Sequence, residues 1–417
     1  AIGIMWAWIL STTLLPSLIM LTNWKMDSKA ISQPGFLERV VDKIGKKILK
    51  APRLILTTGL IVVLIGAYGL SDLNVEVNIK SFFSQDHAIP KSLSFLDEEM
   101  VGSMDYTFRI EGDLKNPKTL KKMVRLQEYM EEHPKISISI SIADIIKQMH
   151  RTIMDDDPAF ETIPDERDKV NNLFTMYAMS GDPDDFSALV NYDYTVGLVT
   201  VMSENMSTQA AEIYVGEVKK FIEQEINGEM EITTTGMLPV LGDMVDMVIS
   251  SSFRSIFASI IVVSLIAGFF FRRIGWGLLA VIPLSSAVIL NFGFMGLFNI
   301  DLNHVTAVLS SVIIGVGVDF AIHYISQYRR SVKTVKDPDT LSRKVIDEVG
   351  YPIVLDALSN MAFASLLFSQ FLPVQHMGGL MVFAMISTSV GTLTILASIM
   401  ELLRRNKKIY NRLIRGN

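Results

Sequence analysis

The chain has 417 residues, 49% hydrophobic and 20% charged, with a formal net charge of −6 and no cysteine. The hydrophobic share is high for a soluble protein and the charged share is high for a wholly embedded one, so the chain is expected to alternate between bilayer and water. Disulfide frameworks and thiolate metal sites are excluded.

In chain order, the first apolar run reaches from Ala1 to Leu21 with neither a basic flank nor a small-residue cleavage site, so it reads as the interior of a membrane helix rather than a signal peptide. The sequence is therefore expected to be a fragment or the second part of a larger protein. About twenty apolar residues cross the ~30 Å hydrocarbon core, and seven stretches qualify: roughly 1–22, 54–71, 250–271, 275–298, 304–327, 352–371 and 375–400. Lys and Arg gather in every second connection, at Lys25 to Arg53, Arg272–Arg273, Arg329 to Lys344 and Arg404 to Arg415, which the positive-inside rule places in the cytoplasm. The expected organisation is a span at 1–22, a cytoplasmic linker at 23–53, a span at 54–71 and an outside domain at 72–247. Three spans follow at 248–328, a cytoplasmic amphipathic connector at 329–351, two spans at 352–402 and a basic tail at 403–417.

The outside segment carries 33 Asp and Glu against 15 Lys and Arg, a net charge of about −18, while the remainder carries about +12. That asymmetry fits a translocated soluble domain and argues against nucleic-acid binding, which needs a basic surface. Within it Val75–Ile79, Tyr106–Glu111, Ile136–Ile140, Thr195–Met202 and Met230–Thr235 read as strands, and Pro117–Glu132, Ile142–Met154 and Thr208–Ile226 as helices. Asp155–Pro158 and Gly181–Asp185 read as acidic loops. An α+β layered domain is the packing this order predicts. The segment Asp337–Val349 has apolar positions at Leu341, Val345, Ile346 and Val349, which suits a helix lying on the inner membrane surface or a solvated connector.

The residue with the most chemistry is Asp319, inside the apolar run Val305–Ile325. An ionised carboxylate at that depth costs several kcal/mol, and such residues are commonly used in ion or proton coupling. Ser311, Gly315, Asp319 and His323 follow at four-residue spacing and form one helical stripe, with Gly317 beside it, so the stripe is expected to face a neighbouring helix at a small-residue seam. Asp356, Ser359 and Asn360 on the sixth span are candidate polar partners, with Ser359 and Asn360 expected deeper than Asp356. His323 is a candidate proton relay by virtue of its ordinary pKa, or an interfacial hydrogen-bonded residue. An intramembrane aspartyl protease would need Gly-x-Gly directly before the acid, whereas Gly315-Val-Gly317-Val-Asp319 is one residue off. No cofactor or metal motif is present, and a carrier rather than an enzyme is expected.

Four segments resemble a known family: Ala51-Pro-Arg53 with Leu73–Phe83; Gly236-Met-Leu-Pro239; Arg272–Pro283 running through Asn291–Gly296 to Gly315–Arg330; and Phe368–Pro373 with Gly378-Gly379. The chain resembles the second half of resistance-nodulation-division (RND) transporters, in the branch of mycobacterial large membrane proteins and hopanoid transporters. The resemblance implies twelve spans in two repeats, a polytopic α-helical membrane bundle with ferredoxin-like α+β porter domains, and a last span of repeat one at 1–22. It implies a proton-motive-force-driven exporter of lipids or other hydrophobic molecules in the inner membrane; a non-transporting sterol-sensing-like receptor or a lipid-handover subunit is the alternative. Its implied partners are a membrane lipid, the first-half repeat on the same or a separate chain, and a homo-oligomer mate or periplasmic carrier. The chain departs from that branch at Phe320, where a Tyr is usual after the acid, and at Leu355–Asn360, where Thr-rich sequence is usual.

Overall fold

A computed structural model describes residues 2–21, 35–180, 187–226, 230–335 and 338–406. The Gly181–Asp185 loop and the basic residues beyond Asn406 lie outside the described residues. The helices are α1 Ile2–Leu21, α2 Phe36–Lys50, α3 Pro52–Gly69, α4 Ala88–Glu99, α5 Pro117–Glu131, α6 Ile142–Ile153, α7 Arg167–Ser180, α8 Thr208–Phe221, α9 Met237–Phe270, α10 Ile274–Leu297, α11 His304–Thr334, α12 Pro338–Asn360, α13 Leu372–Gly391 and α14 Ala397–Arg405. The strands are β1 Met104–Glu111, β2 Ile136–Ser141, β3 Val196–Ser203 and β4 Glu231–Thr235.

The four strands pair antiparallel in the order β2-β3-β1-β4. With α5 between β1 and β2 and α8 between β3 and β4, this is the ferredoxin-like split β-α-β arrangement, here with α6 and α7 inserted between the two halves. Alternation explains the sheet. Met104, Tyr106, Phe108 and Ile110 of β1 and Val199 and Val201 of β3 are buried, as are Leu120, Met123, Leu126 and Met130 on α5 and Ala211, Tyr214, Val215 and Val218 on α8. Full burial of such large side chains stabilises by roughly 1.5–3 kcal/mol each. The predicted strand at Val75–Ile79 is instead an extended strap that makes one isolated parallel bridge, Val75 to Leu302, and passes into a 3₁₀ turn at Ile79.

Among the described residues, six helices are long and apolar enough to cross a membrane: Pro52–Asp72, Met237–Phe270, Ile274–Leu297, His304–Thr334, Thr340–Phe368 and Leu372–Arg405. The apolar helix α1, at the position of the first expected span, is shorter than these over its apolar run, Met5–Leu21. Two boundaries differ from the sequence reading. The helix expected to start near 248 starts at Met237, so the α/β domain and the membrane share one continuous rod, α9. The connector and sixth span are likewise one helix, α12, which runs through Pro352 and continues as a 3₁₀ segment over Met361–Phe368.

The apolar face predicted for the membrane surface is covered by protein. Leu341, Val345 and Ile346 are buried, as are Val41 and Ile48 of the amphipathic α2. A Cβ added at Gly350 would meet the Val41 side chain at 2.4 Å and one at Gly45 would meet Ile346 at 3.1 Å, so the two helices cross where side chains are smallest. The same device joins α3 to α10. Cβ atoms built on Gly293 and Gly296 would fall 1.9 Å and 1.8 Å from the carbonyl oxygens of Gly66 and Gly69.

Candidate functional site

Helix α11 has two unlike faces. Ile313, Ile314, Gly317, Phe320, Ala321, Tyr324, Ile325 and Tyr328 are buried, the helix packing on α9, α10, α12 and α13, and a Cβ on Gly317 would lie 2.8 Å from Thr388 of α13. This broad apolar stripe sets the helix rotation. Asp319 is next to Phe320 in sequence and therefore ~100° away around the helix, on the opposite face with Val308, Gly315 and His323, all exposed in this chain. Nothing lies within 4 Å of a Cβ built on Gly315. The small-residue seam expected along the whole stripe is thus made by Gly317, while Gly315 and Asp319 are uncovered by the described helices. Ser311, half-buried, shares a 2.6 Å hydrogen bond with Ser255 of α9 and ties the stripe to that rod.

The ionisable groups acting on Asp319 are His323, one turn along, and Asp356 on α12. Of the three candidate partners on the sixth span, Asp356 is the one in electrostatic reach, although Ser359 and Asn360 were expected to lie deeper. Asn360 Nδ2 instead donates to Asp356 Oδ1 at 3.3 Å within α12, and Ser359 is exposed. Among the described residues, no group of three or more His, Asp or Glu is placed to hold a metal ion. Phe320, at the position where the resemblance implies a Tyr, is fully buried on the far face and takes no part in this cluster.

The end of α11 nearer the α/β domain is joined to that domain. Asn303 caps the helix, accepting from the Val305 and Thr306 amides at 3.0 Å. One residue earlier, the Leu302 amide donates to the Asn74 carbonyl at 2.8 Å and the Glu76 amide donates to the Leu302 carbonyl at 3.0 Å. The strap then enters the domain. The Val77 amide donates to Thr208 Oγ1 at 3.0 Å, the Glu76 carboxylate accepts from the Thr208 hydroxyl and amide, and Asn78 Nδ2 donates to the Asn205 side chain at 2.8 Å and the Met206 carbonyl at 2.7 Å. A second bridge, Phe83 to Phe371, fastens the same linker to the start of α13. The acid-bearing helix and the sheet domain are thus connected through one hydrogen-bonded segment of five residues, 74–78.

Sequence reasoning also missed a buried polar node at the opposite end of the bundle. Glu401 is 1% exposed and accepts from Arg404, Arg405 and Ser342 at 2.7–2.9 Å, which fixes α14 to α12. Its signal was present in the acid–base spacing Glu401–Arg404–Arg405.

A bundle in which the described residues form six membrane-length helices, with a ferredoxin-like insert and an acid-bearing helix, defines a polytopic α-helical membrane protein of the RND type. The chain belongs to the MMPL family, whose profile matches residues 114–414. It is 22% identical over 383 residues to a membrane protein of Methanocaldococcus jannaschii, covering 89% of this chain and 95% of that one. Its fold is similar to that of the hedgehog release protein Disp from the water bear Hypsibius dujardini, with a TM-score of 0.63 and 12% identity over 91% of this chain and 51% of that one. The chain therefore spans about half the length of that structure. It is a multi-pass, transporter-like membrane protein of RND/MMPL type.

Proposed function

We propose that this protein is a proton-driven exporter of lipids or other hydrophobic molecules in the inner membrane, with the α/β domain on the extracytoplasmic side as its porter domain. In this reading Asp319 loads and releases the proton, with His323 and Asp356 as the groups that bias it. Ser359 and Asn360 serve through Asp356, Ser311 and Gly317 pack the helix against its neighbours in this chain, and Gly315 leaves the open face free for close approach of a further helix. The open face of α11 that carries Asp319 is then where the first repeat packs, on the same or a separate chain, enclosing the acid and raising the cost of its charge. One observation carries the reading: the helix that holds the membrane carboxylate is hydrogen-bonded, through 74–78, to the domain that would move substrate.

The test is export by the full protein with Asp319→Asn. Loss of export with normal folding and membrane insertion is expected, and collapsing the proton gradient should stop the unaltered protein. Undiminished export by the variant would sink the proposal.

A further inference from the structure

Beside the strap, where the α/β domain meets the membrane bundle, is a cavity of about 890 Å³, within the ~300–1,000 Å³ range of small-molecule sites. One wall is a single face of α4: Lys91, Ser94, Phe95 and Glu98 follow at i, i+3, i+4 and i+7 and all line it. The opposite wall is the strap and the loop it grips, with Asn78, Asn205 and Ser207. The floor includes Phe83, bridged to Phe371, and Leu372, the first residue of α13, so the cavity opens where a span begins.

The lining chemistry is mixed in a specific way. Phe95 is 58% exposed, an aromatic ring left facing water inside a concave site, and such a ring attracts a quaternary or protonated ammonium over its face. Glu98 and Glu99, one turn further on, supply negative charge beside it. Lys91 supplies positive charge one turn before Phe95 and two before Glu98; its exposed partner Asp86 is 3.8 Å away, a contact open to exchange, while Lys80, also on the cavity wall, is engaged by Asp97 at 3.2 Å. A purely anionic or cationic headgroup would meet repulsion from one of the two sets. A group carrying both charges about one helix turn apart, its anion at Lys91 and its cation at Phe95 with the glutamates a turn beyond, meets neither.

We propose that this cavity holds the zwitterionic, phosphate-and-ammonium headgroup of an amphiphile, the ammonium against Phe95, Glu98 and Glu99 and the phosphate against Lys91, with the acyl chain leaving past Leu372 into the bilayer. The proposal rests on the lipid reading above and names the substrate class. It also gives the strap a second role, since 74–78 is both the wall of the cavity and the link to α11.

The test uses the full protein in vesicles and a photoactivatable dodecylphosphocholine. Labelling is expected on peptides covering 83–99 and 205–207, competed by dodecylphosphocholine but not by dodecyl sulfate or dodecyltrimethylammonium. Phe95→Ala and Lys91→Glu, both at exposed positions, should each weaken it about five-fold, the scale of one partly solvated charge or cation–ring contact. Label confined to the spans, equal competition by the single-charge amphiphiles, or unchanged labelling in both variants would overturn the assignment. The two readings fail separately: labelling that persists while Asp319→Asn exports normally removes only proton-driven export, and absent labelling with Asp319-dependent export removes only the headgroup site.

Discussion

Asp319 shows how one residue's place is decided by its neighbours. Its stripe of small and polar residues was visible in the sequence at four-residue spacing, but the direction of that stripe was not. The opposite face, with Ile313, Gly317, Phe320, Tyr324 and Tyr328, buries far more apolar area and takes the protein-facing side. Choosing between the two faces requires knowing which helices are present, and periodicity alone does not say. A second acid can be tested without transport. Burial and, secondarily, the negative Glu76 push the Asp301 carboxyl, in the turn between α10 and α11, above its ordinary range. The unfolded chain ionises this group at lower pH than the folded one, so its contribution to stability is complete below the unfolded pKa and is lost as pH rises through the folded one. Asp301→Asn is therefore expected to raise the unfolding temperature at neutral pH, with the gain vanishing below about pH 4 where both states are protonated. An equal gain at pH 7 and pH 3.5 would show that ionisation is not the cause.

At the scale of elements, β1 to β4 and the helices α5, α6 and α8 were legible because alternation and helical periodicity are local signals, and burial of Tyr106, Phe108 and Ile110 follows from them, whereas α4 and α7 were not read from the sequence. Helix crossings were not legible, because each needs two distant segments to be read together. Gly66 and Gly69 meet Gly293 and Gly296 at such a crossing. With a carbonyl 1.9 Å from the position of a new Cβ, Gly293→Val forces α3 off α10, and overpacking of this kind costs about 1–3 kcal/mol. Detergent or thermal unfolding of the variant should show that loss, whereas Gly315→Ala, where nothing lies within 4 Å, should be near neutral in this chain. The covered amphipathic face of α12 has the same origin: Leu341, Val345 and Ile346 signal an apolar partner, and only the structure identifies it as α2 rather than lipid.

At the scale of the whole molecule, the membrane helices and the sheet domain communicate through 74–78 and through the continuous rod α9. Thr208→Val removes the hydroxyl that donates to Glu76 and accepts from the Val77 amide, leaving buried polar groups without partners at a cost of about 1–3 kcal/mol. Hydrogen exchange at the Leu302 and Glu76 amides should quicken in this variant, and export should fall although Asp319 is intact. Unchanged exchange at both amides would mean that the strap does not depend on Thr208. The 3₁₀ winding of Met361–Phe368 bears on the solvent the protein lives in. A 3₁₀ helix rises ~2.0 Å per residue against ~1.5 Å for an α-helix, so eight residues reach about 4 Å further than they would if wound normally. The sixth span thus holds a reserve of length, and bilayer thickness acts on it directly: thin membranes favour rewinding to α and thick ones favour the extended form. Spin-label distances across this span in short-chain and long-chain lipids should differ by an amount approaching that reserve, which makes lipid composition a variable of the mechanism as well as its medium.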